Sequence, residues 1–241
     1  KNEKTPSFTV NDEKGFYHCF STSEHGNIFD FLMKTQNLKF GEAVKSLASL
    51  AGMQPYTFSK ADEEREKNRE KYSSIYNKYV EHYHNELINN ENSKSAIEYL
   101  KKRKISFEQI KKFKIGFVDK NPNFFEIFKK NFEKKNIIDT GLFYFDEMKK
   151  RHIERFRERI IFPINNISGK PIALGGRTIQ NSNYFAKYIN SPETIFFKKG
   201  SNLYNLDLVR KLSNKVNNVF LVEGYMDVIG LSNNGVENAV A

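Results

Sequence analysis

Two carboxylates near the end of the chain have the spacing for metal or acid–base chemistry. Glu223 closes the apolar run Val219, Phe220, Leu221, Val222, and Asp227 follows four residues later, with no basic residue between them. Four residues is about one helical turn, so both carboxylates can face one spot. Paired negative charges of this kind suit a divalent, oxygen-liganded cation such as Mg²⁺. The competing reading is an edge-of-core glutamate followed by a solvated aspartate.

A second candidate is Gly175-Gly176-Arg177. Adjacent glycines let a backbone approach a ligand closely, and an arginine beside them suits a nucleotide phosphate. A β-bulge with a surface arginine explains the same residues. Lys187 follows among aromatic residues. Lys101-Lys102-Arg103-Lys104 is a dense basic run between two predicted helices, a place for phosphate contacts or simply a solvated surface. Cys19, with His18 and His25 nearby, raises zinc. Position 22, where a Cys-x-x-Cys partner would stand, is Thr, so a small buried thiol and surface histidines are the alternative.

These residues need elements to position them. The short apolar run before Glu223 predicts a strand buried on both faces, as in a parallel sheet, and Gly224 permits a sharp exit into a helix. Residues 160–164 and 171–179 predict a β-hairpin turning at Gly169, with Pro163 marking an edge or a bulge. Residues 4–10 and 16–20 predict a hairpin turning through Asp12 to Gly15. A polar loop, 21–27, then ends at Asn27, which caps a helix starting at Ile28. A second helix carries Ala43, Val44, Leu47 and Leu50 and stops at Gly52. Tyr72, Ile75, Tyr76, Tyr79, Val80, Tyr83 and Leu87 recur at helical spacing, which predicts a long helix with a core-facing stripe after a solvated, highly charged start. Stacking on nucleic-acid bases is the other use for such tyrosines. Ser106 with Gln109 predicts a capped helix, and Phe124 to Phe132 another.

The chain has 241 residues, 39% hydrophobic and 14% aromatic, enough to fill a core. A net charge of +10 favours a polyanionic partner such as nucleic acid, although lysine-rich surfaces arise without one. No apolar run approaches the ~20 residues of a membrane span, and no signal peptide opens the sequence. One cysteine excludes an intrachain disulfide and fits a reducing, cytoplasmic setting. The first residue is not Met and the last three are Ala-Val-Ala, so the sequence reads as part of a longer protein.

Several of these stretches, in order, resemble bacterial DNA primase. Glu3 to Phe8 and Phe16-Tyr17-His18-Cys19-Phe20 resemble its N-terminal zinc-binding module. Arg155 to Arg159 with Phe162-Pro163-Ile164, then Gly175-Gly176-Arg177, then Tyr188 to Thr194, resemble its polymerase domain. Val222 to Val228 resembles the opening of its Toprim subdomain. The resemblance implies a mixed α+β and α/β fold: a degenerate zinc-binding-type module of a β-hairpin plus helices at 1–54, a charged helical linker at 55–75, an α+β polymerase subdomain at 76–215 and the start of an α/β Toprim subdomain at 216–241.

It also implies a nucleotidyltransferase that makes short RNA primers on single-stranded DNA from ribonucleoside triphosphates, with a replicative helicase as partner through a C-terminal domain outside this sequence. Glu223 becomes a general acid/base or metal-associated carboxylate, with Asp227 supporting it, holding Mg²⁺ or Mn²⁺. Arg103, Arg177 and Lys187, with Gly175 and Gly176, become template or nucleotide contacts. Zn²⁺ is expected from the family, but Thr22 replaces the partner of Cys19 and Lys1 stands at the histidine position. The module is therefore expected to fold without zinc, leaning on Phe8, Phe16, Phe20 and Phe31. The family's Asp-x-Asp pair would lie beyond Ala241, so these residues alone are expected to bind single-stranded DNA weakly and make no primer. The alternatives are another Toprim enzyme, or a non-catalytic single-strand-binding relative.

Overall fold

A computed structural model of the chain describes residues 6–54, 60–180, 186–212 and 216–241. Lys1, the Glu3 to Thr5 part of the N-terminal motif, linker residues 55–59 and Phe185 lie outside them. The chain divides into two compact units, Lys1–Glu63 and Glu64–Ala241.

In the first unit, β1 (Phe8–Asn11), β2 (Phe16–Cys19) and β3 (Glu24–Gly26) form an antiparallel sheet in that order. Gly15, at φ 62°, supplies the left-handed turn residue of the first hairpin. The stretch read as a polar loop contains β3, which pairs with β2 through backbone bonds and has no apolar alternation to reveal it. Helix α1 (Ile28–Gln36) opens at Asn27, whose side chain accepts from the Phe29 and Asp30 N–H groups at 2.8 and 3.1 Å. Helix α2 (Phe40–Leu50) follows. The rings of Phe8, Tyr17 and Phe31 pack mutually at 5.4 to 5.9 Å. Tyr17 is the buried member, whereas Phe16 and Phe20 are exposed. Strand alternation turns Tyr17 to the packed face and its neighbours away, which corrects the expected reliance on Phe16 and Phe20.

In the second unit, the long helix α3 (Lys60–Asn89) runs into α4 (Lys94–Lys102) and α5 (Phe107–Lys112). Residues 64–71 of its charged start are exposed, and the Tyr72 to Leu87 stripe is buried. The stripe is tyrosine rather than leucine because each hydroxyl has a buried partner. Tyr72 donates to the Ile172 carbonyl at 3.2 Å and Tyr76 to the Thr140 carbonyl at 2.9 Å. Tyr79 and Tyr83 both donate to Glu154 Oε2, at 3.0 and 2.6 Å, and the Phe124 N–H donates to its Oε1 at 2.8 Å. Ser106 caps α5, accepting from the Gln109 N–H.

Strand β4 (Gly116–Val118) is followed by α6 (Phe124–Phe128), shorter than the helix expected to reach Phe132, then α7 (Lys134–Asp139) and the hairpin β5 (Phe143–Asp146) and β6 (Arg151–Glu154). Strands β7 (Arg159–Asn165), β8 (Pro171–Thr178) and β9 (Tyr188–Asn190) join β4 in a sheet ordered β4-β7-β8-β9, antiparallel throughout. Pro163 lies past the residues that pair with β4, and the register shifts just after it, between Ile164 and Asn165. Alternation along β7 splits the core: Ile160, Phe162 and Ile164 face a cluster with Leu100, Phe113 and Val228, while Ile161 faces the tyrosines of α3.

Helix α8 (Leu206–Arg210) leads to β10 (Phe220–Leu221), α9 (Tyr225–Asn233) and β11 (Ala239–Val240). The expected strand and the helix after Gly224 are both present, and β11, which the sequence reading did not include, pairs parallel with β10 on the far side of α9. The expected burial of the run before Glu223 is not observed: Val219, Phe220 and Leu221 are 52, 48 and 74% exposed. Among the described residues only β11 pairs with β10.

The two glycines of β8 sit in regular ladder positions, Gly175 opposite Phe162 and Gly176 opposite Ile161. A Cβ on Gly175 would lie 2.5 Å from Tyr225 Cζ, and one on Gly176 would lie 2.5 Å from Phe156 Cδ1. The close approach assigned to a phosphate is therefore made by two aromatic rings, one on each face of the sheet. Tyr225 stacks on Phe162 with centroids 5.3 Å apart.

Two outcomes follow from this packing. Gly175→Ala forces the Tyr225 ring off the sheet and should cost about 1–3 kcal/mol. Calorimetry should then show a melting temperature lower by roughly 2–4 °C per kcal/mol. Glu154 is buried, which pushes its carboxyl from the ordinary 4.5 up to about 7 against the pull of its three donors. The folded protein then holds a proton that the unfolded chain releases between those values. Stability from this group is full below pH 4.5 and lost as pH rises through about 7, a span of about 3 kcal/mol. Denaturant titrations should show that fall in the wild type and its loss in Glu154→Gln.

Candidate template and nucleotide site

The register of β8 against β9 builds the site. Arg177 lies directly opposite Tyr188, and Gly175 opposite Asn190. All four share the sheet face of Phe162, because alternate residues of a strand point the same way. Two side-chain groups meet there, one basic and one acidic.

The basic group centres on Tyr99 of α4. The guanidinium of Arg103 lies 5.6 Å from the Tyr99 ring centroid and that of Arg177 lies 5.2 Å from it. Arg177 also stacks on the Tyr188 ring at 4.7 Å and donates to its hydroxyl. Arg103 and Arg177, 74 residues apart in sequence, are thus gathered by one aromatic side chain. Arg177 is buried, only 4% exposed, and its Nε has no hydrogen-bond partner. Burial pushes its guanidinium below the ordinary value; Tyr99 opposes the shift and Arg103 adds to it. Arg103 and the lysines Lys101, Lys102 and Lys104 are exposed at the end of α4. Lys187 is exposed too, and its carbonyl accepts from the Thr178 N–H at 3.1 Å.

The acidic group lines a cleft of about 600 Å³. Glu223 and Asp227 both line it and both are exposed. Asp227 Oδ2 accepts from the Gly224 N–H at 3.1 Å, which ties the carboxylate to the first turn of α9 and leaves Oδ1 for other partners. Two hard carboxylate oxygens in a wet cleft fit Mg²⁺ or Mn²⁺, cations that keep several waters and need only one or two protein carboxylates. Tyr188, Asn190, Lys199, Asn202 and Tyr225 line the same cleft. Lys199 is the one basic residue in that lining. Tyr225 donates its hydroxyl to Asn190 and meets the Tyr188 ring at 6.0 Å.

Tyr188 therefore belongs to both groups, with Arg177 on one side and the cleft on the other. Sequence reading singled out the arginines and the acids and gave no role to Tyr99, Tyr188, Asn190 or Lys199. Positions 188 and 190, two apart on a strand beside Arg177, carried a usable signal, since such residues share a face. Tyr99 carried half a signal: Arg103 lies four residues on, within reach along one helix, whereas Arg177 is distant in sequence. Gly175 and Gly176 belong to this site only through the rings they admit.

In the N-terminal unit, Cys19 Sγ lies 3.2 Å from Ser21 Oγ, and Ser7 Oγ donates to Ser21 Oγ at 3.2 Å. Hydrogen bonds from Ser21 and Thr22 bring the Cys19 thiol down to about 7. Among the described residues no helix is long and apolar enough to cross a membrane.

The chain is similar to known proteins over its length. The family model described as DNA primase catalytic core, N-terminal domain, matches residues 82–210, and that described as CHC2 zinc finger matches residues 1–64. The DNA primase of Escherichia coli K12 is 38% identical over 243 residues, covering 100% of this chain and 41% of that protein. A DnaG primase catalytic domain solved bound to single-stranded DNA is 36% identical with a TM-score of 0.66, covering 73% of this chain and 54% of that one. The Aquifex aeolicus primase, solved as its zinc-binding and RNA polymerase domains, is 27% identical with a TM-score of 0.64, covering 100% of this chain and 57% of that one. The chain thus spans less than two thirds of the relatives it matches. The chain belongs to the family of the DNA primase catalytic core, N-terminal domain, whose matched residues, 82–210, include Arg103, Arg177 and Tyr188.

Proposed function

We propose that these residues form the template-binding and nucleotide-presenting part of a DNA primase, an enzyme that copies single-stranded DNA into short RNA primers. The observation that carries the reading is Tyr188, which couples a basic aromatic ridge to an acidic cleft. Arg103, Lys101, Lys102, Lys104 and Lys187 track the phosphates of a single strand, and Arg177 anchors the ridge between two rings. Such contacts release counterions, so binding weakens steeply with salt.

The cleft then takes the ribonucleoside triphosphate. Lys199 offers its ammonium to the phosphates, and Asn190 and Asn202 offer polar contacts at the wall. Glu223 and Asp227 would hold Mg²⁺ or Mn²⁺, which would supply charge neutralisation at the triphosphate and activation of the attacking hydroxyl. The alternative role for Glu223 is that of a general base for the primer 3′-hydroxyl, while the Gly224 N–H keeps Asp227 oriented. The remaining metal-binding carboxylates, and the surface that meets a replicative helicase, belong to chain outside these residues.

Glu223→Gln in the full-length protein should abolish primer synthesis on single-stranded template, measured with radiolabelled ribonucleotides, and leave template affinity unchanged. Retained synthesis removes Glu223 from catalysis. Arg103→Ala should weaken single-strand binding and lower the slope of log K against log salt by about 1. A slope equal to wild type removes Arg103 from the ridge.

A further inference from the structure

The match of residues 1–64 to a CHC2 zinc finger implies a metal held by three cysteines and one histidine, and the donor set of this chain does not fit it. The chain has one cysteine. Three residues after Cys19, where a Cys-x-x-Cys pair needs its second thiolate, stands Thr22, and a neutral hydroxyl is no zinc ligand. Nearby histidines do not replace it. His18 and His25 are cross-strand partners, and Cys19 is paired with Glu24 on the opposite face of the sheet. His18 packs on Phe20 at 4.4 Å, and His25 Nδ1 lies 3.1 Å from the Ser23 carbonyl. The Glu24 carboxylate is paired with Lys34. A further thiolate from outside residues 1–241 would bring the set to two, against the four that structural zinc requires.

The same turn has its own closure. Ser7 reaches Ser21 across the first hairpin, Ser21 reaches Cys19, and the Phe20 N–H donates to the Ser7 carbonyl at 2.7 Å. Phe8, the cross-strand partner of Cys19, packs against the rings of Tyr17 and Phe31. We propose that the N-terminal unit is a zinc-independent ribbon, in which the Ser7–Ser21–Cys19 hydrogen-bonded chain and the Phe8–Tyr17–Phe31 packing close the turn that a zinc ion closes in the family. The cysteine then acts as one polar partner among several, and a hydroxyl can replace it.

The test uses the whole chain, purified from cells grown with added zinc. Elemental analysis should find well below one zinc per chain. Excess EDTA should leave the melting curve and the amide exchange of residues 16–20 unchanged. Cys19→Ser keeps a hydrogen-bonding group and should also leave them unchanged. Ser21→Ala breaks the chain and should speed exchange at residues 16–20 by roughly threefold to tenfold, the effect of losing one net hydrogen bond. One zinc per chain, or faster exchange in EDTA, overturns the proposal. So does Ser21→Ala with wild-type exchange, which removes the hydrogen-bonded chain as the closure.

Discussion

The candidate site depends on one packing contact, the ring of Tyr225 lying over Gly175 and against Phe162. Any side chain at 175 would occupy the volume of that ring. With the ring seated, the first turn of α9 is pinned to the sheet, and Glu223 and Asp227 are delivered to the cleft beside β9. The ring's hydroxyl reaches Asn190 and its edge meets Tyr188, so the same residue also joins the helix to the edge strand. This explains a glycine in a fully buried strand, where its lack of a side chain otherwise weakens packing.

The basic ridge is organised by aromatic faces rather than by carboxylates. No ion pair is recorded for Arg103 or Arg177 among the described residues; both lean on Tyr99. An exposed cation–π contact contributes about 0.5–1 kcal/mol and a desolvated one about 2 or more. Arg177 is therefore the anchored member and Arg103 the adaptable one. Holding cations against rings leaves their charge uncancelled, which is what a polyanionic ligand needs. A carboxylate in the same place would have neutralised them.

Glu154 plays the opposite part in the other core cluster. Its three donors come from α3 and from the start of α6, so one buried carboxylate ties the long helix to the β5–β6 hairpin. The stripe of tyrosines reads as core from its spacing alone. Its polar partners make it specific, since leucines would fill the space and leave the carboxylate unsatisfied.

Features that depend on neighbours in sequence were legible in it. The Asn27 and Ser106 caps, the stripe of α3, the β7–β8 hairpin and the turn from strand into helix at Gly224 each rest on local periodicity or a cap within a few residues. The motif order of the resemblance was legible too, and with it the family. Tertiary structure alone decided what fills the space beside Gly175 and Gly176, that β3 exists, that Val219 to Leu221 are exposed, and that Tyr99 and Tyr188 gather the arginines. Those outcomes turn on which residues meet in the folded chain, from Cys19 and Glu24, five positions apart, to Tyr99 and Arg177, seventy-eight apart, and no local pattern announces them. The sequence shows that a glycine permits a close approach, and only the folded chain shows which group makes it.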